Sequence, residues 1–153
     1  MPTRDPDTRR IGELLRNPNA ERVRFVEQRL AAAGHPEIRS PHFPIFEYID
    51  HDIGSRITYL AKHANITVQA MGELVDYLTV HGYVERVPDP TDGRAKLVRL
   101  TERGFQMYAL AGGQVVTLEG IWTGYLGEQN MRQLKRLLAE LWDEIERRRD
   151  DSR

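Results

Sequence analysis

The side chains placed to do chemistry lie mostly in one stretch, residues 56–104, and they suit recognition better than bond-breaking. Arg94 directly follows an Asp92-Gly93 pair, and Lys96 stands two residues on. An arginine just after a turn suits a narrow, electronegative groove, because minor-groove width and potential draw arginine in. Upstream, Gln69 lies just after Thr67 in a run with a helical apolar period, and a glutamine amide can bond adenine bidentately. The five histidines, at 35, 42, 51, 63 and 81, share no i, i+3 or i+4 spacing, so no metal site is expected. No nucleophile–base constellation or phosphate-cradling glycine loop is present, and the carboxylates fall on polar faces. These residues predict neither an enzyme nor a cofactor. The absence of cysteine excludes disulfides, thiolate zinc and thiol-based switching.

The elements that must position these side chains follow from periodicity. Arg56 to Ala64 reads as a helix with Ile57, Leu60, Ala61 and Ala64 inward. Thr67 is the expected N-cap of the next helix, its hydroxyl accepting from a free amide of the first turn. Val68, Met71, Val75 and Leu78 form the apolar stripe of that helix, widened by Leu74. Gln69, Ala70, Gly72, Glu73 and Asp76 are left outward or at the edges, and Gly82 ends the helix. A steep helix crossing needs a small residue at the contact and one tolerant of positive φ in the turn. Ala61 and Asn65 supply these, and Met71 packs back. Tyr83–Val87 and Lys96–Leu100 read as the two strands of a hairpin. Pro88-Asp89-Pro90-Thr91 keeps the chain extended, and Asp92-Gly93 is the expected turn. This order is a helix-turn-helix followed by a wing.

The flanks look like supports. Residues 1–8 are expected to be a loose tail, and 9–54 to hold N-terminal helices. Ile11, Leu14 and Leu15 share one face, as do Val23, Val26 and Leu30, with Asn17-Pro18-Asn19 between them. That interruption fits one kinked helix or two. Gly34 is a natural stop, and Ser40 is expected to cap a short helix through Phe43, Phe46, Tyr48 and Ile49. After the winged unit, residues 55–101, Thr101 caps the first of two long helices spanning 102–149. Tyr108, Ala111, Val115, Leu118, Trp122 and Tyr125 mark the first. Met131, Leu134, Leu138, Leu141 and Ile145, with Leu137 and Trp142, mark the second. Arg147-Arg148-Arg149 reads as a solvated helix end, and 150–153 as a tail. Phe43, Phe46, Tyr59, Tyr108 and Trp122 could line a ligand pocket but read as core, since aromatics at helical spacing usually are. Two long apolar stripes beside a small winged unit predict a second copy, joined through the terminal helices.

Composition sets bounds on this reading. Forty per cent hydrophobic and 29% charged residues in a 153-residue chain describe an ordinary soluble domain. No apolar run approaches the roughly 18 residues that span a bilayer. The polar N-terminus resembles no targeting sequence, so no membrane partner and a cytoplasmic location are expected. The net charge is −1, and residues 55–100 hold 6 basic against 5 acidic side chains. Any grip on a polyanion must therefore come from placement, not from a broad basic field.

Leu60-Ala61, the run TVQAMGELVDYL and the segment HGYVERVPDPTDGRAKLVRLTERG resemble the MarR family of bacterial transcription regulators. The most specific part is Asp89 to Gly104: an acid, Asp-x-Arg, an alternating strand, then Leu-Thr-x-x-Gly. The resemblance implies a mainly α fold with a small β-wing (α+β), that is, a winged helix-turn-helix with N- and C-terminal dimerisation helices. It implies a homodimer on a pseudo-palindromic double-stranded DNA operator, acting as a repressor relieved by a small, often aromatic, ligand. On the matching positions, Thr67, Gln69 and Ala70 would meet base edges or phosphates, and Glu73 would order its neighbours. Arg94 would enter the minor groove beside Lys96, Asp92 would brace the wing, and Arg56 and Lys62 would meet phosphates. The chain departs from the family in having no basic residue from Thr67 to Val80, and in carrying Gly93 where a second arginine is common. Those departures predict weak phosphate anchoring. They also keep open an alternative, a winged-helix dimer acting through protein contacts with weak or no DNA binding.

Overall fold

The computed structural model describes residues 9–151, and the expected tail at 1–8 lies outside them. The first helix, α1 (Ile11–Ala32), runs unbroken through Pro18, which decides the question left open by the sequence. Proline costs the helix one amide donor, and the carbonyl a turn earlier is left to water. That is affordable here because residues 14–21 are all solvent-exposed. Burial begins further on, at Val26 and Leu30. Gly34, at φ +93°, turns the chain, and the His35 amide donates back to the Leu30 carbonyl at 2.8 Å.

A 3-10 turn, Ser40–His42, leads into α2 (Phe43–Tyr48). The expected cap by the Ser40 hydroxyl is not used. The Ser40 amide instead donates to Glu27 Oε1 of α1 at 2.7 Å, and His42 Nδ1 accepts from the Arg39 amide at 3.0 Å. A side chain thirteen residues away has taken the place of the local cap.

The helix-turn-helix consists of α3 (Ile57–Ala64) and α4 (Val68–Val80). Asn65 lies in the left-handed region at φ 55°, ψ 42°, and is the one non-glycine residue with positive φ among those described. Leu60, Ala61, Met71, Val75 and Leu78 are buried at the crossing. Val68 departs from its expected place in the stripe. As the first helical residue it projects past the packed turn and remains 51% exposed.

The wing is an antiparallel pair, β1 (Val84–Asp89) and β2 (Asp92–Leu100). Its register runs from Val84 opposite Leu100 to Pro88 opposite Lys96, then jumps to Asp89 opposite Asp92. The jump leaves Gly93, Arg94 and Ala95 as a bulge on the second strand. The expected turn at Asp92-Gly93 is therefore displaced to Pro90-Thr91. Ser55 adds a further rung, exchanging hydrogen bonds of 2.9 and 2.8 Å with Val98.

Two long helices follow, α5 (Glu102–Leu126) and α6 (Glu128–Asp151), so the helix runs past the end expected at 149. Thr101 caps α5, accepting from the Gly104 amide at 3.1 Å and donating to the Gly82 carbonyl at 2.6 Å. The chain forms two compact units, Met1–Gln114 and Val115–Arg153. The first holds a continuous core that includes Ile38, Ile45, Phe46, Tyr83, Val84, Val98 and Met107. In the second, Leu118 and Met131 are buried and Lys135 meets Glu119 at 2.8 Å. Leu134, Leu137, Leu138, Leu141, Trp142 and Ile145 all remain more than a third exposed.

Candidate nucleic-acid interface

The wing tip is built around a residue that the sequence reading did not single out. Asp89 is buried, and its Oδ1 accepts both the amide and the hydroxyl of Thr91, at 2.8 and 2.7 Å. Its Oδ2 receives the Arg56 guanidinium, from Nε at 2.8 Å and from the terminal nitrogen at 2.6 Å. The Thr91 hydroxyl and amide, then Arg56, hold this carboxyl down at a pKa of about 2. Asp92, the acid expected to brace the wing, accepts from the Arg94 amide at 3.1 Å and lies 3.5 Å from Arg56. The local signal for Asp89 was available. An aspartate two residues before a threonine, with proline between, is a turn in which the carboxylate replaces a backbone acceptor. This turn closes two residues early and throws Arg94 onto the bulge.

Arg56 is thus placed differently from a side chain left free for phosphate. It stands 45% exposed, yet bridges the two wing acids from the N-terminus of α3. Arg86 is likewise engaged, with Asp76 of α4 at 2.6 Å, and Arg99 with Glu85 across the strands at 2.7 Å. Among the described residues, no ion pair engages Lys62, Arg94 or Lys96, and all three are exposed. Half of the basic side chains in the head hold the head together, and half face outward.

On α4, Thr67 caps the helix by accepting from the Ala70 amide at 3.1 Å. Ala70 is half-buried, whereas Gln69 and Glu73 are exposed and joined by a 3.4 Å contact from the Gln69 amide to a Glu73 oxygen. The structure therefore puts Thr67 at the N-terminus of α4, Gln69 and Glu73 together on one face of that helix, and Arg94 and Lys96 on the wing, with Lys62 exposed on α3.

The base of the wing explains the Leu-Thr-x-x-Gly motif. A Cβ on Gly104 would lie 2.1 Å from the Tyr83 carbonyl oxygen, so no other residue fits without displacing α5 from the strand. Tyr83 is fully buried, and its hydroxyl donates to Glu37 at 2.9 Å while accepting from Arg103 at 2.9 Å. His35 Nδ1 also lies 2.9 Å from that hydroxyl, and the Arg103 guanidinium stacks 4.5 Å over the ring. Burial, the largest cause, raises the Tyr83 pKa and lowers that of His35. No sequence spacing signals this cluster, because its members come from the loop after α1, the strand root and α5.

An open cleft of about 670 Å³ lies beside α3, lined by Tyr48, Asp50, Arg56, Thr58, Tyr59 and Lys62 among others. Tyr59 lines this cleft and is not core, its ring 3.9 Å from that of His63. Tyr108 is also partly exposed, edge-on to His51 at 4.5 Å. Phe46 is core, as its spacing predicts.

Comparison with known proteins agrees with this geometry. Residues 38–95 match the sequence profile of the MarR family. That span takes in the helix-turn-helix and most of the wing, and over it the chain is similar to the MarR family. It is 26% identical, over 126 residues, to the HTH-type transcriptional repressor Rv2887 of Mycobacterium tuberculosis, covering 76% of this chain and 91% of that one. Among solved structures it is similar to an E. coli MarR mutant complexed with operator DNA. That match has 25% identity and a TM-score of 0.70, and covers 86% of this chain and 92% of the other. The fold is shared with CouR from Rhodococcus jostii RHA1 bound to p-coumaroyl-CoA, at 23% identity and a TM-score of 0.68, over 86% of this chain and 90% of that one. No described helix is long and apolar enough to cross a membrane.

Proposed function

We infer that this chain is a dimeric, sequence-specific repressor of the MarR family that binds a pseudo-palindromic operator and is released by a small ligand. The observation that carries this reading is the braced wing. Asp89, Asp92 and Arg56 hold the bulge that projects Arg94, while Asn65 sets the angle of α4. A hairpin with only a structural task needs no buried carboxylate at its tip. In this reading Arg94 enters the minor groove, Lys96 and Lys62 meet phosphates, and Thr67, Gln69 and Ala70 face base edges or backbone.

Dimerisation is supported by apolar faces that one chain leaves in water. These are Ile11, Leu14 and Leu15 on α1, and the row from Leu134 to Ile145 on α6. Two heads set about 34–36 Å apart would meet successive half-sites on one face of the duplex. For the ligand, the cleft beside α3 offers tyrosine rings with Lys62 and Arg56 at its edge, which suits a small aromatic anion. A repressor of this kind works in the cytoplasm, and its chemistry is binding, not catalysis.

A second reading is favoured by one observation. The outward face of α4 carries Glu73 and Asp76 and no cation, which suits a winged-helix dimer that acts through protein contacts. Mobility shift of the full-length protein on its own upstream region, at two salt concentrations, separates the two. Specific binding that weakens in Arg94→Ala supports the repressor. Failure to prefer any operator over random duplex removes it.

A further inference from the structure

The lack of a cation on the reading face has a chemical consequence. Guanine presents two acceptors, N7 and O6, in the major groove, and its commonest protein partner is arginine or lysine. From Thr67 to Val80 the chain offers neither. Asp76 is already engaged by Arg86 at 2.6 Å, so of the two carboxylates of α4 Glu73 is the one with no ion pair to the described residues. Set against guanine, it would meet two acceptors with a third.

Its one polar contact is with Gln69, whose side-chain nitrogen donates to Glu73 at 3.4 Å. That contact turns the amide nitrogen towards Glu73 and leaves one N–H and the carbonyl oxygen unused. Those two groups match adenine, whose N7 accepts and whose N6 amine donates. Val68 adds a second, independent signal. It is a β-branched side chain, 51% exposed at the start of the helix, one residue from Gln69. The apolar group that base edges offer in the major groove is the thymine methyl.

We propose that α4 reads A·T steps: Gln69, oriented by Glu73, holds an adenine, Val68 covers the methyl of a neighbouring thymine, and Glu73 disfavours guanine. The wing pulls the same way, because narrow A-tract minor grooves attract arginine. The inference rests on the DNA-binding reading above and names the half-site chemistry for it.

The test is affinity selection of random-core duplexes by the full-length protein, followed by mobility shift on the enriched site. Wild-type protein enriches half-sites with an A·T step. Gln69→Ala then loses roughly 5- to 100-fold of its preference at the adenine. Glu73→Gln tightens binding to random duplex roughly threefold or more while flattening discrimination against guanine. Replacing thymine by deoxyuridine, which removes only the methyl, weakens wild-type binding but leaves Val68→Ala unmoved. Unchanged thermal melting of each variant shows that folding is intact. A selected site rich in G·C, with cytosine preference lost in Glu73→Gln, overturns the proposal, since the carboxylate would then be the reader. Enrichment that Gln69→Ala and deoxyuridine leave unaltered also overturns it. No enrichment by the wild type removes the regulator reading and this inference together.

Discussion

The wing tip and the reading face of α4 are built on opposite principles. At the tip, buried Asp89 is met by four nitrogen or hydroxyl groups of Thr91 and Arg56, and Asp92 fixes the Arg94 backbone. On α4 the only side-chain contact among the outward Gln69 and Glu73 is one of 3.4 Å. An arginine delivered to a groove gains from being held in place beforehand, because less freedom is lost on binding. A helix face that must fit one sequence and reject others relies on the chemistry of its side chains instead. Arg56, Arg86 and Arg99 are tied into the architecture, and in the reading proposed above specificity is left to an amide, a carboxylate and a methyl-bearing side chain.

The contrast can be broken hardest at the root of the wing. Gly104→Ala forces a Cβ into the space of the Tyr83 carbonyl and should cost ~3 kcal/mol or more of stability. For a chain of this size that is a fall of roughly 6–12 °C in melting temperature, readable by calorimetry. The brace comes next. Asp89→Ala removes the acceptor for Arg56 and both Thr91 groups, and operator affinity should fall roughly ten- to a hundredfold, with the fold retained. If affinity survives that change, the tip is not pre-organised and the contrast fails. Arg94→Ala should weaken binding about tenfold and reduce the salt slope by roughly 1 per head. Three outward cations per head, Lys62, Arg94 and Lys96, cap the dimer's slope near about 5, at ~0.9 per neutralised phosphate. A measured slope near 8 would show that the bridging arginines leave their acids on binding.

The smallest effect is that of acid. The Asp89 carboxyl falls from an ordinary 3.8 to about 2 in the folded wing. A depressed pKa means that the charged form is the one favoured by folding. Its contribution is complete above pH 3.8 and is lost as pH drops towards 2. Amide exchange at Thr91 and Arg94 should therefore be independent of brace protonation from neutral pH down to about 4, and lose protection below it. Loss of wing protection already near pH 6 would point to a histidine instead.

Much of the head was legible because its signals are local. The left-handed turn at Asn65, the Thr67 and Thr101 caps and the apolar stripe from Met71 to Leu78 each depend on neighbours within a turn or two. Their physics is backbone sterics and helix periodicity, which the residue order carries by itself. The exposed faces of α1 and α6 were legible for the same reason.

Tertiary structure decided the rest. Arg56 found its partner 33 residues away, and Glu27 displaced the local cap at Ser40. The wing turned two residues early because a buried carboxylate outbid the Asp92-Gly93 signal. Val68 matched the apolar period yet fell beyond the packed crossing and stayed in water. In each case the deciding energy is a contact between distant segments, and sequence spacing holds no record of it. The residue order alone determined that a helix-turn-helix with a wing would form. Which of its charges brace the head, and which remain free to meet a partner, was settled only when the chain closed on itself.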